Sequence, residues 1–210
     1  MKLRIPDGEV VNTVTHGIGL LLSIGGTIGL MSRVTATGDA WRIAGCGIFA
    51  AALIAVYAAS VLSHCVSSPR PRRWFRILDQ ALIYVLIVAI YTPFALTYLR
   101  SGGWWLFFLG MWAFALCGFV SKVFLTHRID TVTLWSYLLL GWLTAIPAVA
   151  LAGTLPLAAM ILFVSGGLCY TLGTLFFTID DPRFHCHGIW HVLVVAGSAC
   201  HFTAIYLYVA

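Results

Sequence analysis

Seven long apolar stretches, each followed by a short polar connection, dominate the pattern of this chain. They predict membrane-spanning helices at about 14–32, 42–65, 77–99, 103–124, 132–152, 155–179 and 184–209. Each stretch matches the roughly 20 apolar residues that a helix needs to cross a bilayer. The shortest connection, "AGTLP", predicts a tight turn in which Gly153 can adopt a positive φ and Pro156 opens the next helix. We therefore expect an all-α, seven-helix membrane domain over residues 1–210.

Composition agrees with a membrane protein and excludes a soluble domain. The chain is 61% hydrophobic and only 9% charged, whereas soluble domains are about 25% charged. The N-terminal segment lacks the features of a secretory signal, so the first apolar stretch is interpreted as a retained span. The six cysteines are scattered, mostly within apolar stretches and without a CxxC motif. They are interpreted as buried apolar residues and not as a disulfide framework.

The basic residues predict the orientation of the chain in the membrane. Of the 12 lysines and arginines, nine fall at the N-terminus and in the connections on its side, and the other three are Arg33, Arg42 and Arg100. The positive-inside rule then places the N-terminus in the cytoplasm and the C-terminus outside, which requires an odd number of spans. Because the basic residues flank spans, the net charge of +5 does not indicate nucleic-acid binding. Gly25, Gly26 and Gly29 suit helix packing either within or between chains, so the oligomeric state stays open.

Five ionisable side chains within or at the ends of the predicted spans fall at one membrane level. With the N-terminus inside, all lie near the cytoplasmic face: His16, His64, Asp79, His187 and His191. Ionisable groups are costly in lipid unless they are paired, bind a metal or face water. Their convergence from four helices predicts a functional site at this level.

The spacing of the histidines favours zinc. His187 and His191 are four residues apart and therefore share a helix face, and His64 supplies a third imidazole. Three protein ligands with one open position are typical of catalytic zinc. Asp79 is the candidate for binding or deprotonating the water on the metal, and Ser60 for hydrogen bonding to that water or to a substrate carbonyl. Two simpler readings compete: the histidine pair only meets headgroups or water, or Asp79 only pairs with Arg76.

The remaining histidines receive structural roles. His185 shares no face with His187 and is expected at solvent or headgroups, and His127 is expected to be an ordinary loop residue. His201 is expected to form a helix–helix hydrogen bond. The last span is predicted to start with Asp181 as its N-cap and Pro182 in its first turn.

Several motifs together resemble the hemolysin III family, which belongs with the progestin and adipoQ receptors, including the adiponectin receptors. They are "ExxNxxTH" at 9–16, "SxxxH" at 60–64, Asp79 followed by "LIY", "YTPF" at 91–94 and "HxxxH" at 187–191. The resemblance covers almost the whole chain and matches the bacterial-sized branch. It implies seven helices, a cytoplasmic N-terminus and an intramembrane zinc.

Carried over residue by residue, the resemblance implies zinc ligation by His64, His187 and His191. Asp79 matches the aspartate that contacts the metal-bound water, and Ser60 matches the serine of the same site. Alkaline ceramidases are more distant relatives with a similar residue set and hydrolyse a lipid amide. This chain departs from many relatives in having Gln80 after Asp79 where they have histidine, which would alter the surroundings of the metal.

Three functions follow as hypotheses. The first is a zinc-dependent intramembrane hydrolase of a lipid amide or ester in the bacterial inner membrane, with Asp79 taking a proton from water whose pKa zinc lowers to about 7. The second is a non-enzymatic receptor or membrane-homeostasis sensor with structural zinc and a lipid ligand. The third is a hemolysin-type pore, which is disfavoured because the polar residues gather at one end. His16 and Asn12 are either supporting partners of the site or part of the packing of span one.

Overall fold

The computed structural model describes residues 5–6, 8–125, 130–179 and 185–210, except for the side chains of 130–133. Apart from an isolated bridge residue at Val66, every regular element in these residues is an α-helix. They are α1 (Val10–Thr35), α2 (Ala40–Cys65), α3 (Pro69–Tyr98), α4 (Trp104–Phe124), α5 (Asp130–Leu143), α6 (Ala145–Leu151), α7 (Leu157–Ile179) and α8 (Cys186–Tyr208).

Seven segments in this part of the chain are long and apolar enough to cross a membrane. Six of them are single helices, and α5 and α6 together supply the fifth segment, Leu134–Leu151. The prediction of an all-α, seven-helix membrane protein is confirmed. The protein is therefore a multi-pass membrane protein.

The fifth span differs from its prediction because it is interrupted at Thr144. Pro147, one turn later, has no N–H to donate to the carbonyl of residue 143, and its ring would crowd that carbonyl. The Thr144 hydroxyl instead donates to the Gly141 carbonyl at 2.6 Å. In the connection after α6, Gly153 does not adopt the positive φ that was predicted for it. Among the described glycines, only Gly8, Gly38 and Gly102 have a positive φ. Pro156 does directly precede α7, as expected.

Two helix starts also differ from the sequence prediction. Helix α3 begins at Pro69 and not at 77, because proline suits the first turn of a helix, where its missing N–H costs nothing. Helix α8 begins at Cys186, after His185 in a left-handed conformation with φ 48°. The predicted cap at Asp181 and Pro182 lies outside the described residues, as does His127.

Helix α2 is one of the two most buried helices of the bundle, with α3. It packs against α1 and α3, while α8 packs against α7 and α1. The shared core is built from buried aromatic and aliphatic side chains, of which the largest are Tyr57, Tyr91 and Phe49. The ends of α1, α2, α3 and α8 are thereby brought together at each side of the bundle.

The end of the bundle that holds the C-terminus is closed by polar contacts to backbone carbonyls. Arg33 Nε donates to the Ala210 carbonyl at 3.1 Å, and Arg42 donates to the Val209 carbonyl at 3.3 Å. The Tyr98 hydroxyl donates to the Tyr208 carbonyl at 2.5 Å. The three basic residues assigned to this side by charge counting include both of these arginines, whereas Arg72 and Arg76 of the other group lie beside Glu9, at the opposite end.

Close packing of α2 on α3 depends on Gly45. A Cβ at this position would lie 2.9 Å from the Pro93 Cα, and backbone atoms cannot move aside as a flexible side chain can. Overpacking of this kind costs about 1–3 kcal/mol. We expect Gly45→Ala to lower the thermal unfolding temperature of the protein in detergent, measured by the loss of helical circular dichroism.

Gly29→Ala in α1 is the matched control, because no atom lies within 4 Å of the Cβ it would add. We expect this variant to unfold at or above the wild-type temperature, since alanine is the better helix former. Equal losses in the two variants would contradict the packing argument.

Candidate metal centre

Three histidines from two helices converge at the end of the bundle opposite the C-terminus. His64 lies in the last turn of α2, and His187 and His191 lie in the first turns of α8. One nitrogen from each ring lies within 4.8 Å of the others. These three residues, called here the histidine triad, are spaced so that small side-chain movements would let a single ion reach all of them.

The shared face predicted for His187 and His191 is present, since their ring centroids are 4.6 Å apart. The His64 ring lies 5.3 Å from that of His187 and 5.0 Å from that of His191. His64 and His191 are buried and His187 is half-buried. The set that the spacing and the resemblance indicated is therefore a cluster in the folded chain.

Glu9 fixes the orientation of His64. The Nδ1 of His64 lies 2.8 Å from Glu9 Oε2, so Nδ1–H donates to the carboxylate and the Nε2 lone pair is left for another ligand. This Nε2 is buried and has no hydrogen-bond partner among the described residues. A carboxylate behind a histidine is the usual support of a metal-bound imidazole. The orphaned Nε2 thus fits a metal ligand.

His191 is oriented in the same way by the start of α1. Its Nδ1 lies 3.2 Å from the Asn12 carbonyl oxygen and 3.2 Å from Thr15 Oγ1. Donation from Nδ1–H to these oxygens selects the tautomer whose Nε2 can bind a cation. The Asn12 side chain also donates to Glu9 Oε2 at 2.8 Å. Asn12 therefore joins the supports of two triad members.

The Glu9 carboxylate is held in its charged form by its neighbours. Arg72 donates to Oε1, and Arg76 approaches the same oxygen at 3.3 Å. Partial burial raises the pKa of Glu9, but hydrogen bonds from Asn12 and His64 and the charges of His64 and Arg72 outweigh it and lower the pKa below its usual value. Glu9 is therefore anionic at neutral pH.

The sequence analysis assigned no role to Glu9, although Glu9 is the first residue of the "ExxNxxTH" motif. A signal was available in the sequence. Glu9 and Asn12 are one helical turn apart, and Arg72 and Arg76 are four residues apart and share a face. Recognising them as partners required knowing that α1 and α3 meet beside His64.

His16 also belongs to this cluster. Its ring stacks on that of His191, with centroids 3.6 Å apart and planes 15° apart. Its Nδ1 lies 2.6 Å from Ser60 Oγ, so it reaches Ser60 and not Asp79 directly. Its Nε2 is buried without a hydrogen-bond partner among the described residues. The side chain contacts α2 and α8 and is thus more than a packing element of α1.

Asp79 lies beside the triad but is not among the residues whose donor atoms lie within 4.8 Å of one another. The Ser63 hydroxyl donates to Asp79 Oδ2 at 3.4 Å, and Ser60 also faces this carboxylate. Arg76 makes its ion pair with Glu9, and none with Asp79 is found in the described part of the chain. Arg76 therefore pairs directly with Glu9, and its charge acts on Asp79 only from a longer distance. Ser60 connects His16 to the neighbourhood of Asp79.

A cavity of about 890 Å³ opens at the triad and continues between the helices. Glu9, Ser60 and Asp79 line it near the triad, and Val164, Phe163 and His201 line it farther along. Lys122 of α4 is buried and also contributes to the wall. The histidines are therefore connected to a space within the helix bundle that is large enough for a small molecule or part of a lipid.

Comparison with known proteins gives the same picture of the whole chain. A family model described as "Haemolysin-III related" matches residues 6–202. The chain belongs to the hemolysin III family. One relative is the "Hemolysin-3 homolog" of Bacillus subtilis (strain 168). It is 36% identical to this chain over 200 residues, which cover 95% of this chain and 93% of the relative.

Two further relatives extend this membership beyond that sequence. "Hemolysin-3" of Bacillus cereus is 33% identical over 201 residues, with 96% of this chain and 91% of the relative covered. The "Monocyte to macrophage differentiation factor" of Homo sapiens is 30% identical over 210 residues, with 95% and 84% covered. The predicted resemblance to the hemolysin III family and to the progestin and adipoQ receptors is confirmed.

The support given by Glu9 leads to a prediction for this hemolysin III protein. Glu9→Gln keeps the size of the side chain but removes the charge that orients His64 and offsets Arg72. Loss of such a supporting partner typically weakens metal affinity by roughly tenfold to a hundredfold. We expect this loss in a Co²⁺ titration of the purified protein, followed by the visible absorption of the bound ion.

Asp39→Asn is the control for loss of a carboxylate. Asp39 caps α2 at the opposite end through Trp41 N and Arg42 N, and asparagine caps a helix equally well. Its Co²⁺ affinity should equal that of the wild type. A Glu9→Gln protein with unchanged affinity would show that Glu9 does not support the ligand.

Proposed function

We propose that this protein is a zinc-dependent intramembrane hydrolase that cleaves an amide or ester bond of a membrane lipid. The observation that carries the proposal is the position of the histidine triad at the mouth of a cavity of about 890 Å³ between apolar helices. A lipid entering this cavity would bring its carbonyl group to the triad while its chain stays among apolar side chains.

The donor set suits zinc. Three neutral imidazoles, with two Nδ1 atoms engaged by Glu9 and Asn12, leave a fourth position free for a reacting group. When bound, zinc would supply Lewis acidity, polarising a carbonyl group and making water more acidic. His64, His187 and His191 would hold the ion, and Glu9 and Asn12 would keep the rings in place.

The side chains beside the triad have complementary roles in this proposal. Asp79 would accept a proton from the attacking water, since its carboxylate faces hydroxyl groups and makes no described ion pair with an arginine. Ser60 would donate a hydrogen bond to the carbonyl oxygen as charge develops there. His16, bonded to Ser60 and stacked on His191, would position both of them.

The proposed membrane orientation has the triad at the cytoplasmic side of the bacterial inner membrane. Arg72 and Arg76 lie at the triad end, and Arg33 and Arg42 lie at the opposite end. With the larger basic group facing the cytoplasm, the carbonyl of a lipid in the inner leaflet would be level with the triad.

A second function is a receptor or membrane-homeostasis sensor in which zinc is structural. The observation that favours it is that the triad connects the end of α2 with the start of α8, and α1 supports both through Glu9 and Asn12. An ion there would lock three helices together, and a lipid in the cavity would shift their packing. Consumption of lipid separates the two functions.

Hydrolysis is tested with purified protein in nanodiscs that contain defined amide-linked and ester-linked lipids. We expect product release, detected by mass spectrometry, to fall by a hundredfold or more in Asp79→Asn, since a positioned general base contributes about 10²–10⁴-fold. Product release in His187→Ala should fall as far, because this substitution removes a proposed metal ligand. Turnover that persists unchanged in both variants would refute these roles.

The control for the hydrolysis assay is Asp39→Asn, which also replaces an aspartate by asparagine but at the opposite end of α2. Asparagine caps a helix equally well, and we expect wild-type turnover. If no variant, including the wild type, consumes any lipid, the receptor function replaces the hydrolase.

Metal removal provides a test that does not depend on catalysis. Chelation should lower the thermal unfolding temperature, because a ligand at a hundred times its Kd contributes about 2.7 kcal/mol to stability. Adding Zn²⁺ back should restore the temperature. In His187→Ala, neither chelation nor added Zn²⁺ should change the unfolding temperature. An equal change of this temperature in wild type and variant would show that the ion binds elsewhere.

A further inference from the structure

The deep part of the cavity contains a second polar position, His201, far from the triad. His201 follows His191 by ten residues on α8, which corresponds to about 15 Å along the helix axis. It is only 4% exposed and is a lining residue of the same cavity that opens at the triad. A molecule that fills this cavity would therefore meet an imidazole at each end.

His201 lacks the helix–helix hydrogen bond that the sequence analysis predicted. Its Nδ1 is buried and has no hydrogen-bond partner among the described residues. The ring packs instead beside Gly166 of α7, where a Cβ would lie 2.5 Å from Nε2. Phe163 and Tyr170 flank it, with ring centroids at 5.2 Å and 5.5 Å. These neighbours fix the ring without satisfying Nδ1.

Several polar groups near His201 are paired with one another, although the Tyr91 hydroxyl is also buried without a partner among the described residues. The Tyr57 hydroxyl donates to Ser198 Oγ at 2.9 Å, and the Tyr170 hydroxyl lies 2.9 Å from the same oxygen. This network joins α2, α7 and α8 and leaves His201 outside it. An imidazole at mid-membrane depth is costly unless it has a partner. A water would need two to four polar partners to be held there, and the ring of His201 is flanked by aromatic rings and a glycine.

We propose that the cavity selects an acyl chain that carries a hydroxyl or keto group in mid-chain, about 15 Å from the group held at the triad, and that His201 hydrogen bonds to it. This inference rests on the proposed function in one respect, namely that an acyl chain lies in the cavity with its polar end at the triad. It adds the chemical class of that chain. The triad fixes one end of the ligand, so the distance along α8 determines where the second polar group must lie.

The test compares binding of two fatty acids, without measuring hydrolysis. Ricinoleic acid carries a mid-chain hydroxyl, and oleic acid is its counterpart without that hydroxyl. We expect the wild-type protein in nanodiscs to bind ricinoleic acid roughly threefold to tenfold more tightly, the range that one neutral hydrogen bond contributes. Empty nanodiscs correct for partitioning into the lipid.

His201→Phe removes the hydrogen-bonding atoms and keeps an aromatic ring in the same place. We expect the preference for ricinoleic acid to disappear in this variant, with oleic acid bound as in the wild type. Tyr170→Phe is the matched control, since it removes a neighbouring hydroxyl that is already engaged by Ser198, and it should keep the preference. An isomer of ricinoleic acid whose hydroxyl lies next to the carboxyl group should bind no better than oleic acid.

The outcomes separate this inference from the proposed function. Equal binding of ricinoleic and oleic acid by the wild type would overturn the inference and leave the hydrolase intact, even if His201→Phe failed to fold. A preference that survives in folded His201→Phe would also overturn it. Failure to bind either acid would overturn both the inference and the placement of an acyl chain in the cavity.

Discussion

The arrangement at the triad end depends on one carboxylate, that of Glu9. It accepts hydrogen bonds from His64 and Asn12 and forms ion pairs with Arg72 and Arg76. These partners come from the start of α1, the end of α2 and the first turns of α3, so a single charge joins three helices. Without it, two guanidinium groups beside His64 would repel a cation. The negative charge of Glu9 makes a basic membrane surface compatible with a metal site.

The second constraint is the contrast between the two ends of the cavity. Near the triad the wall carries ionisable groups, and His16, Ser60 and Asp79 connect them through hydroxyl contacts. Farther along, the lining is mainly apolar or aromatic, and polar groups such as Tyr170 are engaged with Ser198. This gradient suits an amphiphile with one polar end. His201 is the exception to the gradient, which is why it carries information about the ligand.

Membership of the hemolysin III family places these features in a wider group of membrane proteins. The relatives in Bacillus and the human relative match at least 95% of this chain at 30–36% identity. The names of these relatives refer to hemolysis or to cell differentiation and not to a chemical reaction. The chemistry proposed for this chain is therefore argued from its own residues: the triad, the supports behind it and the cavity in front of it.

The sequence by itself determined the seven spans, because crossing a bilayer requires long apolar stretches that hydropathy reveals directly. It also determined that His187 and His191 share a face, since helical periodicity is local. It placed the start of α3 at 77 and missed Pro69, because arginine-rich helical turns outside the membrane leave no hydropathy signal. The break at Thr144 was missed although Pro147 was visible in the sequence.

Only the tertiary structure decided which further side chains meet the triad. Glu9 and His16 come from α1, far along the chain from both α2 and α8. Apolar helices in lipid give little sign of which face turns inward, because lipid and protein interior are similarly apolar. The stacking of His16 on His191, the hydrogen bond from His64 to Glu9 and the isolation of His201 follow from helix packing, which no local pattern in this chain specifies.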